Sequence, residues 1–326
     1  MGWQAPLTRY TSGVDKVARW QAVGERRGQH LRSGPLAGVL LVMSAGVIWS
    51  FGAVLVRGTT TLDVWQYLGW RSIGLIAMLW VLAVLRGQNL PRATLRQAGI
   101  GWMAAVGLFF SSLMIIVALK TTSVANAVFL SSTGPVIALV LSGIVFSDRP
   151  TAGIVASALA ALSGIGIMVL GDAGNGSSIG NIAAVASAAG FAVYSLCLRA
   201  QPGKDWSTSL WAHGWMCLLV CIVMAALKGP LFQGGWERAV PAFHGAIIIG
   251  VGLLLFNRAS RMVSAVNLAI IAQTETVLAP VWGWALLAEL PPMPSLVGGA
   301  VILIGVIGAG LATVRLATTI PPVVSP

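Results

Sequence analysis

The sequence is short of charge. Of its 326 residues only 9% are Asp, Glu, Lys or Arg, where a soluble domain carries about a quarter. So few ionic groups cannot cover a surface that faces water on all sides, which excludes a soluble globular fold. Acidic residues are scarcest, nine against twenty basic ones. There are three cysteines, Cys197, Cys217 and Cys221, all inside apolar stretches. They lack the spacing of a metal site or a disulfide framework and read as buried thiols. The motifs of several chemistries are missing as well. Without GxxxxGK[ST] the chain carries no ATP motor of its own, and without HExxH or Gly-x-Ser-Gly an intramembrane enzyme has no motif to stand on. No cofactor and no metal are expected.

What is present is apolar sequence, 57% of the chain. A spanning helix needs about 20 mainly apolar residues, and ten stretches qualify: 36–56, 64–85, 98–119, 124–146, 152–170, 179–198, 209–227, 242–258, 263–288 and 295–315. The breaks at 57–60, 86–89, 148–150 and 171–176 hold charges, glycines, two asparagines and a proline. None of them is long enough for a soluble catalytic domain. Residues 1–35 form a polar, basic tail without the apolar core of a signal peptide, and 316–326 read as a disordered stub.

The net charge of +11 would point to nucleic acid in a soluble protein. Its distribution says otherwise. With the basic tail placed inside and the spans alternating, the inner side collects fifteen basic residues and the outer side four, Arg57, Lys120, Lys228 and Arg238. Cytoplasmic loops are enriched in Lys and Arg, so the asymmetry predicts an all-α membrane protein of ten transmembrane helices with both termini cytoplasmic. The charge is orientation, and no nucleic-acid partner is expected.

The halves repeat. A shift of 141 places Ala118 on Ala259, Ser123 on Ser264, Asn126 on Asn267, Thr133 on Thr274, Asp148 on Glu289, Pro150 on Pro291 and Gly164 on Gly305. At a shift of 142, Arg57 meets Arg199. A repeat of five helices has an odd count, so the second copy enters the membrane from the opposite side. Inverted repeats of this kind mark secondary transporters, whose sites lie near the midplane between the halves.

Here the residues resemble a known family. The run 118–127, then Pro135, then Asp148 and Arg149, looks like the second half of an EamA-type repeat, and so does Ser264 to Gly310 with Glu275 and the Glu-Leu-Pro at 289–291. Trp49 and Ser50, and Arg71, also sit where that repeat usually carries a Trp-Gly/Ser pair and an Arg. The chain is similar to ten-helix members of the drug/metabolite transporter superfamily, over roughly 36–315. The resemblance implies a first repeat over 36–170 and an inverted second repeat over 179–315. It further implies a multi-pass protein of the bacterial inner membrane that exports small metabolites by alternating access through a central cavity. Amino acids are the leading substrates, as in the YddG-type aromatic amino-acid exporters. Other metabolites, such as nucleosides or cationic drugs, are the alternative within the superfamily. Coupling is left open between secondary active and facilitative transport. The partners expected are lipid and a small-molecule substrate, with the protein a monomer or homodimer. Thr276 stands where the first half has Pro135, which leaves the substrate branch open.

Charged groups within a span cost about 2.5–3.5 kcal/mol each on insertion scales, which singles out two side chains. Glu275, near the middle of the ninth stretch, reads as a proton carrier or an anchor for a substrate ammonium, or else as a structural carboxylate bonded to a neighbouring helix. Arg71 reads as a clamp on a substrate carboxylate, for which its planar fork is suited, or as a cation reaching back to the headgroups. His213 is the histidine placed deepest in a span; it reads as a titrating or carboxylate-binding group, or as packing. Pro135 and Pro280 each remove a backbone donor. The polar runs beside Pro135, with Ser131 and Ser132, and upstream of Pro280, with Gln273, are expected to bend and line the cavity. Asn126 and Asn267 line it or bridge helices. Trp49, Tyr194 and Trp215 offer faces for stacking or serve as core. Trp65, Trp80, Trp102, Trp206 and Trp236 read as interfacial anchors.

Overall fold

Backbone in lipid has no water to bond, so it must satisfy its own polar groups, and a helix does so within one segment. In the computed structural model, which describes residues 35–146, 152–171, 178–201, 204–229, 235–263, 268 and 271–319, every regular element is a helix. In chain order these are α1 (Pro35–Gly58), α2 (Val64–Leu85), the short α3 (Leu90–Leu95), α4 (Gly99–Thr121), α5 (Val124–Ser131), α6 (Gly134–Phe146), α7 (Ala152–Gly171), α8 (Ser178–Ala200), α9 (Ser207–Lys228), α10 (Trp236–Ala259), α11 (Thr274–Leu287) and α12 (Met293–Thr319). The tail before residue 35, Asp148 to Pro150, Ser264 and Asn267 lie outside the described residues.

Seven helical stretches among the described residues are long and apolar enough to cross a membrane: α1, α2, α4, Val124–Ile144 of α5 and α6, α8, α9 and α10. The other three stretches read from the sequence fall on α7 and α12, with shorter apolar runs at Val155–Gly171 and Met293–Gly305, and on α11.

Local chemistry sets the ends. Asp63 caps α2 in a reciprocal box: its carboxylate accepts from Gln66 N–H at 2.7 Å, while Gln66 Oε1 accepts from Asp63 N–H at 3.2 Å. This satisfies two of the donors that a helix start leaves orphaned. Ser123 caps α5 with a single such bond, its hydroxyl oxygen accepting from Asn126 N–H at 3.1 Å.

The stretch 124–146 is expected as one span and is observed as two helices. The chain turns at Ser132 and Thr133, where Pro135 supplies no N–H to the preceding turn. The hydroxyls of Ser131, Ser132 and Thr133 bond back to the carbonyls of Val128, Phe129 and Leu130 at 2.9, 2.6 and 2.8 Å.

Most of the packing is kept when the halves are exchanged. With α1, α2, α4, α5–α6 and α7 matched to α8, α9, α10, α11 and α12, most principal contacts have a counterpart, whereas the packing of α12 on α5 has none of similar extent between α7 and α11. The packing of α4 on α8 answers that of α10 on α1, α9 on α4 answers α2 on α10, and α11 on α1 answers α5–α6 on α8. The pairs α2–α9, α7–α12 and α5–α11 map onto themselves. This is a two-repeat architecture, and its described buried apolar residues gather in two clusters.

Candidate functional site

A cavity of about 620 Å³ lies between the halves, within the 300–1,000 Å³ usual for small-molecule sites. Its wall comes from α1, α2, α4, α5, α6, α8, α10 and α11. Most of that wall is apolar, and a few polar side chains converge on it.

Arg71 is the first of these. It is 3% exposed and its side chain borders the cavity, so it does not reach outward to headgroups. No residue among those described accepts a hydrogen bond from its guanidinium. Its place is fixed by a backbone contact between α2 and α10. A Cβ on Gly245 would overlap the Arg71 carbonyl, and one on Gly74 would overlap the carbonyl of Ala242. Only glycine lets the two helices approach so closely, and the approach seats Arg71 beside His244.

Glu275 faces the same cavity from the first turn of α11. It too has no ion-pair or hydrogen-bond partner among the described residues. Opposite charges thus share one cavity without neutralising each other through direct pairing. Gln273 and Thr276 flank Glu275, joined by a hydrogen bond from Thr276 Oγ1 to Gln273 Oε1 at 3.1 Å.

An aromatic wall adds a flat apolar face. The Trp49 ring lies edge-on to Phe191 at 6.3 Å and tilted against Phe256 at 5.4 Å, and Phe191 and Phe256 are 5.8 Å apart. These are the separations at which aromatic pairs attract. The Trp49 indole N–H is buried without a partner among the described residues.

The cavity runs toward the end of the bundle that holds the start of α1, where Gly38 abuts Met262 and Val263. Arg199, Ser260, Val263 and Leu268 line it there. The other end is tied shut. Arg57 bonds Glu289 at 3.1 Å, Glu289 also accepts the Val124 N–H at 2.8 Å, and the Lys120 ammonium donates to the Thr59 carbonyl. None of these five residues lines the cavity.

Of the residues read from the sequence, Trp49, Arg71, Ser131, Ser132, Pro135, Gln273 and Glu275 come together on this wall. Asn126 does not. It sits in a buried polar knot, taking the Ser295 hydroxyl on Oδ1 and giving its amide to Thr122 and Asn181, each at 3.4 Å. It bridges helices, and Asn267 lies outside the described residues. Tyr194 is fully buried behind the wall, its hydroxyl donating to Asn257. His213 is sealed between α9 and α4, bonded to Ser112 at 3.4 Å with Cys217 at 3.7 Å. Trp215 points away, 39% exposed on the outside of the bundle. Pro280 is buried inside a continuous α11, and the interruption of the second half falls at Gln273 instead, the counterpart of Ser132 at a shift of 141. Trp206, read as an interfacial anchor, is 2% exposed beneath the Lys204 ammonium, 4.6 Å from its ring.

Several lining residues escape sequence reasoning: Phe191, Phe256, Arg199, the serines 111, 112 and 187, and above all His244. At the edge of the eighth stretch, His244 looks like a boundary residue, yet it is 3% exposed. It opens a π-helical turn, His244–Val251, a distortion frequent at functional sites, and this signal is invisible in composition.

Two comparisons with known proteins agree with this arrangement. The family model described as "EamA-like transporter family" matches residues 36–170 and again 178–311. A solved structure named only "Crystal structure of protein" superposes with a TM-score of 0.63 over 86% of this chain and 100% of its own, at 19% identity, a likeness of fold alone. No curated protein sequence matches the chain.

Proposed function

The chain belongs to the EamA-like transporter family, and on that premise we propose that it carries small zwitterionic metabolites, amino acids first among them, across a membrane. The observation that carries the reading is the pair of unneutralised charges in one cavity. Arg71 offers a planar fork to a carboxylate and Glu275 an acceptor to an ammonium, while the Trp49, Phe191 and Phe256 wall receives an apolar side chain. An organic cation would use Glu275 and the aromatic wall but leave Arg71 buried with nothing to bond. A simple anion would strand Glu275 in the same way. A zwitterion answers both.

Transport proceeds by alternating access. The two halves are inverted five-helix repeats with cytoplasmic termini, a sidedness supported by the basic residues concentrated on one side. The cavity then faces the cytoplasm, and the Arg57–Glu289 end is the outer closure. Export follows when the halves rock and the opposite end opens. A bacterial inner membrane suits such a carrier.

The test is flux in vesicles. The reconstituted protein is expected to move labelled L-phenylalanine saturably, in competition with other neutral amino acids. Acceleration by a pH gradient identifies proton coupling, and indifference identifies facilitation. Absence of flux for every amino acid would reject the substrate class.

A further inference from the structure

Beside Arg71, one more group faces the cavity with a definite protonation pattern. His244 Nδ1 lies 2.8 Å from the Tyr67 hydroxyl. Tyr67 is fully buried, and His244 is the only polar partner of its hydroxyl among the described residues. Hydrogen-bond accounting settles which group donates. Were Nδ1 to carry a proton, the phenol oxygen would accept it and the phenol's own hydrogen would point at nothing. A buried donor left unmade costs about 1–3 kcal/mol. The nearest cation, the Lys120 ammonium 5.4 Å from the ring centroid, is a donor and offers no remedy. Tyr67 therefore donates, Nδ1 accepts, and the proton of the neutral ring sits on Nε2. The same accounting excludes the imidazolium, in which both nitrogens donate.

The Nε2 edge is directed at Gly52 of α1, where a Cβ would stand 2.9 Å from Nε2. Glycine there leaves the edge uncovered. Nε2 has no partner among the described residues, and His244 lines the cavity together with Arg71. Backbone contact of Arg71 with Gly245 places the two donors on abutting helices.

We propose that His244, held as its Nε2–H tautomer by Tyr67, is a second donor to the substrate carboxylate beside Arg71, with Tyr67 as the positioning residue. The inference rests on the zwitterion reading for its ligand, but its tautomer can be read without one.

The experiment has two parts on the full chain. In the ligand-free protein, 15N spectra of labelled histidine are expected to show His244 protonated at Nε2, and Tyr67→Phe is expected to remove that fixed assignment. Next, affinities for L-phenylalanine and L-phenylalaninamide are compared in His244→Gln, whose amide reaches the Nε2 position, and in His244→Asn, whose amide reaches only the Nδ1 position. His244→Asn is expected to weaken L-phenylalanine about tenfold or more, the scale of a hydrogen bond to a charged group. It should spare the amide, and His244→Gln should restore the loss. An Nδ1–H or doubly protonated ring, or equal loss for both ligands in His244→Asn, would overturn the proposal. So would an affinity for L-phenylalanine that His244→Asn leaves unchanged. A wild-type protein that binds no amino acid would overturn the zwitterion reading and the carboxylate role together, while the spectra would still report the tautomer.

Discussion

Arg57 Nε lies 3.1 Å from Glu289 Oε2 and joins the end of α1 to the segment after α11, while the other oxygen of Glu289 takes the first N–H of α5 at 2.8 Å. One carboxylate thus ties three helix ends. It also sits at the positive end of the α5 dipole, where an anion is favoured. The side chains are 37% and 20% exposed, so the ion pair alone contributes little, at most about 1 kcal/mol.

This ranks three variants. Glu289→Ala loses both bonds and is expected to loosen this end most. Glu289→Gln keeps an acceptor for Val124, and Arg57→Ala keeps the carboxylate on α5, so both are milder. Spin labels on Gly58→Cys and Leu287→Cys would report the separation, with the broadest distance distribution in Glu289→Ala. Identical distributions in all three would show that the closure rests on packing.

If the substrate is a zwitterion, as proposed, Glu275 and Arg71 divide it between them. Glu275→Gln is expected to weaken L-phenylalanine about tenfold, about 1.4 kcal/mol, yet leave 3-phenylpropionate, which has no ammonium, unaffected. Arg71→Gln should weaken both carboxylates and spare phenethylamine. Competition against labelled L-phenylalanine reads each constant. Uniform losses across the three ligands would assign both residues to folding.

Gly252 sets the angle of Trp49, since a Cβ there would overlap the indole nitrogen. Gly252→Ala is expected to cost about 1–3 kcal/mol through overpacking, read as a lower Tm, and to impair transport by displacing the aromatic wall. In a Trp49→Ala background the same substitution should be nearly neutral. A penalty that persists there would place the strain elsewhere.

Asn126 serves the fold. Asn126→Ala strands the Ser295 hydroxyl, while Thr122 keeps its bond to Asn181, at about 1–3 kcal/mol for a buried group left unmade. Stability should fall while KM holds. A raised KM with unchanged Tm would move Asn126 to the substrate.

The sequence by itself determined the solvent and the symmetry. With 9% charged residues and 57% apolar, the chain has to be helical in lipid, because no other open structure satisfies backbone groups there. The register of Asp148 with Glu289 and of Thr133 with Thr274 showed the repeat. Charge within a span is costly enough to announce itself, which is why Arg71 and Glu275 were legible before any contact was known. Tertiary structure alone decided which face of each helix meets the cavity, since a helix apolar all round carries no stripe to read. It turned Trp215 outward and sealed His213 behind Ser112. It spent Asn126 on a polar knot with Ser295. And it drew His244 into the site, because Gly245 and Gly74 let α10 settle against the backbone of α2, a contact between residues far apart in the chain.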